Sequence, residues 1–132
     1  VENLSYYIEF SSSNIEESEI LNQLCLDTGC SLILDLNNYE VNEKNFEISF
    51  LSQMKNIDIS KVAEIHIAGG EEVEGMVIDT HGTLPSDYSL QYLKENIEQI
   101  KGIPICFERD NNVPEFSELV SIQRKLQRRI FN

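Results

Sequence analysis

Positive charge is scarce. Lys and Arg number 10 against 23 acidic residues in 132, a net charge of −13. A field of that sign repels phosphate backbones and excludes nucleic acid as the default partner. No apolar run approaches the ~20 residues that span a bilayer, and no signal peptide opens the chain. Cysteine is sparse too. Cys25, Cys30 and Cys106 cannot all pair within one chain, match no zinc spacing, and point to a reducing compartment, the cytoplasm. Gly-rich phosphate loop, nucleophile elbow and CxxC are all missing. The first residue is Val1 rather than Met, so a piece of a longer product is expected.

What is present is enough for a core: 41% of residues are hydrophobic, too many for a disordered acidic tail. Four short runs of strand formers stand out, at Ser31–Leu36, Val62–Ile67, Met76–Asp79 and Ile103–Glu108. Their near-continuous apolar character predicts a parallel sheet covered on both faces. Helices are predicted between them. Ser13 or Asn14 would cap one running through Leu26, with Ile20, Leu21 and Leu24 as its stripe and Gly29 as its stop. Others are read over Asn45–Met54, from an Asp87 cap through Leu90–Ile100, and from Pro114 to about Ile130. The last would bury Phe116, Leu119, Val120, Ile122 and Leu126. The link from Gly69 to Gly75 is too short for a crossover, which needs a dozen or more residues. The third strand is therefore antiparallel, or the run after Gly69 is an irregular excursion.

The functional signal is positional. Asp35, His66, Asp79, His81 and Glu108 fall at or just beyond the C-terminal ends of predicted strands, the edge where parallel α/β folds bind ligands. Carboxylates and imidazoles hold Fe, Mn or Zn without thiolates. Asp79 and His81 are two apart and can project from one face of a strand. Clustered carboxylates repel one another, so either a cation offsets that repulsion or the residues are dispersed. The remaining polar and sulfur residues read as structural. Cys25 and Cys106 suit core positions; Arg124, Lys125, Arg128 and Arg129 suit a solvated helix C-terminus; Tyr6 and Tyr7 suit core or rim packing.

Five short motifs stand in order: Glu2-Asn3-Leu4-Ser5, Thr28-Gly29-Cys30 through Asp35-Leu36-Asn37-Asn38, Glu64-Ile65-His66-Ile67-Ala68-Gly69, Asp79-Thr80-His81-Gly82, and Glu108-Arg109-Asp110-Asn111-Asn112-Val113-Pro114. Together they resemble the multinuclear non-heme iron-dependent oxidative enzymes, long catalogued as a domain of unknown function. The resemblance implies an α/β fold, the C-terminal half of a (β/α)8 TIM barrel of the xylose-isomerase type. It implies metal ligands at Glu2, at Asp35 or Asn38, and at His66, Asp79, His81 and Glu108. It further implies two or three Fe ions, O2 as co-substrate, and oxidation at the cysteine of a ribosomally made peptide or of a small thiol. In the chemistry so implied the thiolate binds a ferrous ion and hydrogen leaves the cysteine β-carbon. A peptide substrate and a protein that presents it are the partners implied.

Two departures accompany the resemblance. The family motif continues as AGH, and Gly70 stands where that histidine is expected. The first barrel strands, with two histidine ligands, are not in this chain. Four barrel strands leave unpaired edges and an uncovered interior, so the missing N-terminal barrel half is expected from the same precursor or from a second chain, ahead of a homodimer. Two other readings compete: a non-catalytic remnant that binds a peptide or partner protein, and another divalent-metal barrel enzyme of the isomerase or endonuclease type.

Overall fold

A computed structural model describes residues 1–132. In chain order its elements are α1 (Glu17–Thr28), β1 (Leu32–Asp35), α2 (Leu36–Phe46), α3 (Phe50–Asn56), β2 (Val62–Ile67), β3 (Gly69–Val73), β4 (Met76–Thr83), α4 (Asp87–Glu95), β5 (Ile105–Phe107) and α5 (Phe116–Phe131), with a 3₁₀ turn at Ile59–Lys61.

Strands β1, β2 and β5 form a parallel sheet in that order. Asp35 is level with His66, and His66 with Cys106. Glu2 bridges Ile33 in parallel on the outer side of β1. Side chains alternate across a strand, so the register sorts the sheet into two faces. Leu32, Leu34, Ile65 and Ile67 meet the helices and join Leu21, Tyr39, Phe50, Leu90, Leu93, Leu126 and Ile130 in one core. Ile33, Glu64, His66 and Cys106 lie on the other face and are only partly buried. The prediction of strands covered on both faces is thus met on one face. Cys106 belongs to the less covered face, whereas Cys25 is a core residue as expected.

Met76–Asp79 does not join the parallel sheet. It lies in β4, which pairs antiparallel with β3, so the first of the two alternatives for the Gly69–Gly75 link is the observed one. Glu74 and Gly75 both take positive φ, 51° and 83°, the requirement of a two-residue turn matching the twist of a hairpin.

Helix boundaries also differ from expectation, each for a local reason. α2 starts directly after β1 because the Asp35 side chain accepts from the Asn38 N–H and caps it. The run read over Asn45–Met54 is broken at Glu47, at φ 58°, and α3 restarts under a Ser49 cap. α1 starts at Glu17 and buries Leu21 and Cys25; Ile20 and Leu24 are exposed. α4 is capped by Ser86 rather than Asp87 and ends at Glu95, where the Asn96 side chain donates to the Tyr92 carbonyl at 2.8 Å. In α5 Leu126 and Ile130 are buried, but Phe116 is 79% exposed.

Candidate metal centre

The centre is assembled at the C-terminal end of the parallel sheet, with the β3–β4 hairpin beside it. Asp35 closes β1, His66 is the penultimate residue of β2, and Glu108 follows β5. Register makes Asp35 and His66 neighbours. Glu2 enters from the edge segment, which Asn3 fastens in place. The fully buried Asn3 amide accepts from the Asp35 N–H and donates to the Asp35 carbonyl, both at 2.8 Å. This side chain continues the strand ladder by one step.

His66 Nδ1 is 2.9 Å from Glu108 Oε2 and 3.5 Å from Glu2 Oε1. Its other nitrogen, Nε2, is 3.8 Å from Glu64 Oε1. His81 reaches the same place from β4. Its Nε2 is 2.7 Å from Asp79 Oδ1 and 3.7 Å from Asp35 Oδ2; its Nδ1 is 3.4 Å from Glu108 Oε2 and 3.3 Å from Asp110 Oδ2. His81 has φ 47°, a left-handed conformation that costs energy outside glycine. The loop after β5 is stitched to this bend: the Asp110 N–H donates to the His81 carbonyl at 3.2 Å and Asn111 Nδ2 to the Thr80 carbonyl at 2.6 Å.

Asp79 is itself held. Asn37 Nδ2 donates to its Oδ1 at 2.6 Å, Ser5 Oγ donates to its Oδ2 at 3.3 Å, and its N–H donates to the Tyr7 hydroxyl at 2.8 Å.

Asp35 Oδ2, Asn38 Oδ1 and His81 Nδ1 are buried with no hydrogen-bond partner, and His66 Nδ1, His81 Nε2 and Glu108 Oε2 are buried with only close ion-pair contacts to one another or to Asp79. Burying such atoms unpaired is costly. Carboxylate and imidazole donors that face one another without hydrogen-bond geometry are what a hard or borderline cation satisfies. Two groups have donor atoms all within 4.8 Å of one another. One is Glu2, Asp35, His66 and Glu108; the other is His81, Glu108 and Asp110. A further group, Glu64, His66 and Cys106, lies lower on the same face. Side chains able to coordinate a metal ion are therefore present and clustered.

Electrostatics agree with the crowding. Burial pushes the Asp35 carboxyl up to about 7, against the opposing pull of the Asn38 N–H and His81. Burial likewise raises Glu2. The Asp79 carboxylate beside His81 raises that imidazole to about 9.

The structure thus brings Glu2, Asp35, His66, Asp79, His81 and Glu108 together. Of the two alternatives, Asp35 belongs to a donor group, and Asn38 keeps a buried Oδ1 without a hydrogen-bond partner. Asn38 spends its N–H on Asp35 and its amide on the Asn3 carbonyl at 2.9 Å. Asp79 and His81 arrive on a hairpin strand and not at the end of a parallel one. Residue pattern alone does not single out Asp110, Asn3 or Asn37. The first lies within the last of the five motifs, two residues past Glu108, and that spacing is the signal that could flag it.

The family profile described as "RiPP precursor modification enzyme MbnB/TglH/ChrH" matches residues 1–130. The chain belongs to this family, the multinuclear non-heme iron-dependent oxidative enzymes. Relatives named "UPF0276 protein" are similar throughout: one from Psychromonas ingrahamii is 41% identical over 130 residues, covering 95% of this chain and 46% of the relative. One from Chromobacterium violaceum is 35% identical over 127 residues, 96% and 46% respectively. One from Neisseria meningitidis serogroup C is 39% identical over 124 residues, 90% and 44%. The chain spans about half the length of the curated relatives it matches. No helix is long and apolar enough to cross a membrane.

Proposed function

We propose that this chain supplies the C-terminal half of a (β/α)8 barrel that oxidises a cysteine-containing peptide or small thiol with iron and O2. The observation that carries the reading is Glu108. Its Oε2 faces His66 on one side and His81 on the other and belongs to both donor groups. A carboxylate so placed suits a bridge between two ions. Family membership supports oxidative, metal-dependent chemistry; the substrate and the metal are part of the proposal.

In this reading Glu2, Asp35, His66 and Glu108 would hold iron, and Asp79, His81 and Asp110 would offer further ligands beside them. Bound iron supplies a site for the substrate thiolate and the electron transfer that dioxygen chemistry requires. The chain's own residues do the positioning. Asn3 fixes the Asp35 backbone, and Asn37 and Ser5 fix the Asp79 carboxylate. Asp79 in turn sets the ring of His81. To serve as ligands, Asp35 and His81 release the protons that burial and Asp79 keep on them.

The partner this reading needs is the N-terminal barrel half, from the same precursor or a second chain, with the peptide substrate and its presenting protein as further partners. The partly exposed inner face at Ile33, Glu64 and Cys106 supports completion by further strands. The test is elemental analysis of the completed protein purified without oxygen, followed by an O2-consumption assay with cysteine peptides. Iron-dependent uptake of O2 with modification of the peptide supports the reading; a completed protein that binds no iron overturns it.

A further inference from the structure

Two thiols lie away from the acidic centre and take no part in it. Cys25 is near the end of α1, 2% exposed, among the core side chains. Beyond it the helix stops at Gly29, which takes φ 73° and closes its N–H onto the Cys25 carbonyl at 3.0 Å. That left-handed turn, natural to glycine, reverses the chain and brings Cys30 back to the helix end. The two Sγ atoms are then 3.9 Å apart.

The pair is asymmetric. Cys30 is partly exposed and Cys25 is not. The Thr28 side chain beside Cys30 lowers its thiol below the ordinary range, while burial raises that of Cys25. An accessible, more acidic thiol next to a buried one is the arrangement of an attacking and a resolving cysteine. Cys106 offers no such contact. It is near Glu64 and Glu108, and burial and those carboxylates raise its thiol.

We propose that Cys25 and Cys30 form a redox-active dithiol that closes to a disulfide by exchange with a small-molecule disulfide. The Cys30 thiolate attacks one sulfur of that disulfide and expels a small thiolate, leaving a mixed disulfide on Cys30. Cys25 then loses its proton to solvent, attacks the Cys30 sulfur and expels the second thiolate. Two protein thiols are oxidised and one small disulfide is reduced to two thiols. Bond formation needs the sulfurs to approach from 3.9 Å to ~2.05 Å. Cys30 lies outside any helix or strand and supplies that movement. The link staples α1 to the start of β1. Asp35 is five residues further on, roughly 16 Å along an extended strand.

The test uses the protein, fully reduced, exposed to oxidised glutathione without oxygen, then alkylated and mapped by mass spectrometry. The expected product is one peptide carrying Cys25 and Cys30, lighter by two hydrogens, with Cys106 alkylated. Cys25→Ser should instead retain glutathione on Cys30, and Cys30→Ser should form neither product. The same treatment in denaturant should lose the preference for the pair. A lasting glutathione adduct on Cys30 of the unmutated protein, or full alkylation of all three cysteines, would overturn the proposal. Because the wild-type map decides it alone, a variant that fails to fold does not leave it open.

Discussion

Nδ1 of His66 stands 2.9 Å from Oε2 of Glu108, and both atoms are buried without a hydrogen-bond partner. Two such groups facing each other in a carboxylate-rich pocket are stable together when something positive sits between or beside them. The same Glu108 oxygen is 3.4 Å from His81 Nδ1. One side chain just after β5 therefore joins the imidazole from β2 to the imidazole from the hairpin.

Glu108→Gln should weaken metal binding by more than about tenfold, since even partners of metal ligands cost 10–100-fold when removed. The measurement is anaerobic titration of ferrous ion into the completed protein. His81→Ala should lower bound metal as well, and Cys106→Ser should leave it unchanged. Unaltered iron content in Glu108→Gln would remove Glu108 from the ligand set.

Asn3→Ala should destabilise the fold by roughly 2–4 kcal/mol. It strips partners from two buried backbone groups of Asp35, each worth ~1–3 kcal/mol when left unsatisfied. Urea unfolding of the metal-free protein reads this directly. A loss below about 0.5 kcal/mol would mean that water replaces the amide and that the edge segment is held by other contacts.

Much of this site is legible from residue type and order. Asp35, His66 and Glu108 end or follow apolar runs, and parallel strand geometry gathers them at one edge, whereas Asp79 and His81 lie inside β4 and reach the site by the hairpin. The route taken by β4 is not legible, because a four-residue apolar run reads alike in a parallel strand and a hairpin. Nor is α2: Leu36–Phe46 has no apolar stripe, and it forms because Asp35 caps it and the surroundings bury Leu36 to Asn42. Asp35 serves as cap and candidate ligand at once, and periodicity shows neither role.

The metal-free protein should lose stability as pH rises. Folded Asp35 titrates near 7 instead of 3.8, so the folded state keeps a proton that the unfolded chain releases. The stability this contributes is full at acid pH and is lost between about 4 and 7. Folded His81 titrates near 9 instead of 6.5; its contribution is full below 6.5 and is lost as pH approaches 9. Thermal melts from about pH 5 to 9 check this, with Asp35→Asn flattening the lower part and His81→Gln the upper. Added metal should reverse the loss at alkaline pH, where no protons compete.

Gly70→His, which restores the family motif in sequence, should not simply restore a ligand. A Cβ at Gly70 would lie 2.6 Å from the Ile78 carbonyl oxygen, a backbone atom that cannot rotate away. The hairpin must open to admit it, and a fall in thermal midpoint is expected. A variant as stable as the parent, with more bound iron, would show that β3 and β4 separate at little cost.

Whether these side chains form a metal centre once the barrel is complete is tested most directly by native mass spectrometry with elemental analysis, on the assembly purified without oxygen. The expected result is a completed barrel, whether one longer chain or two, carrying two or three irons, with fewer in His81→Ala. A completed barrel without iron, or with iron unchanged in both His81→Ala and Glu108→Gln, would contradict it.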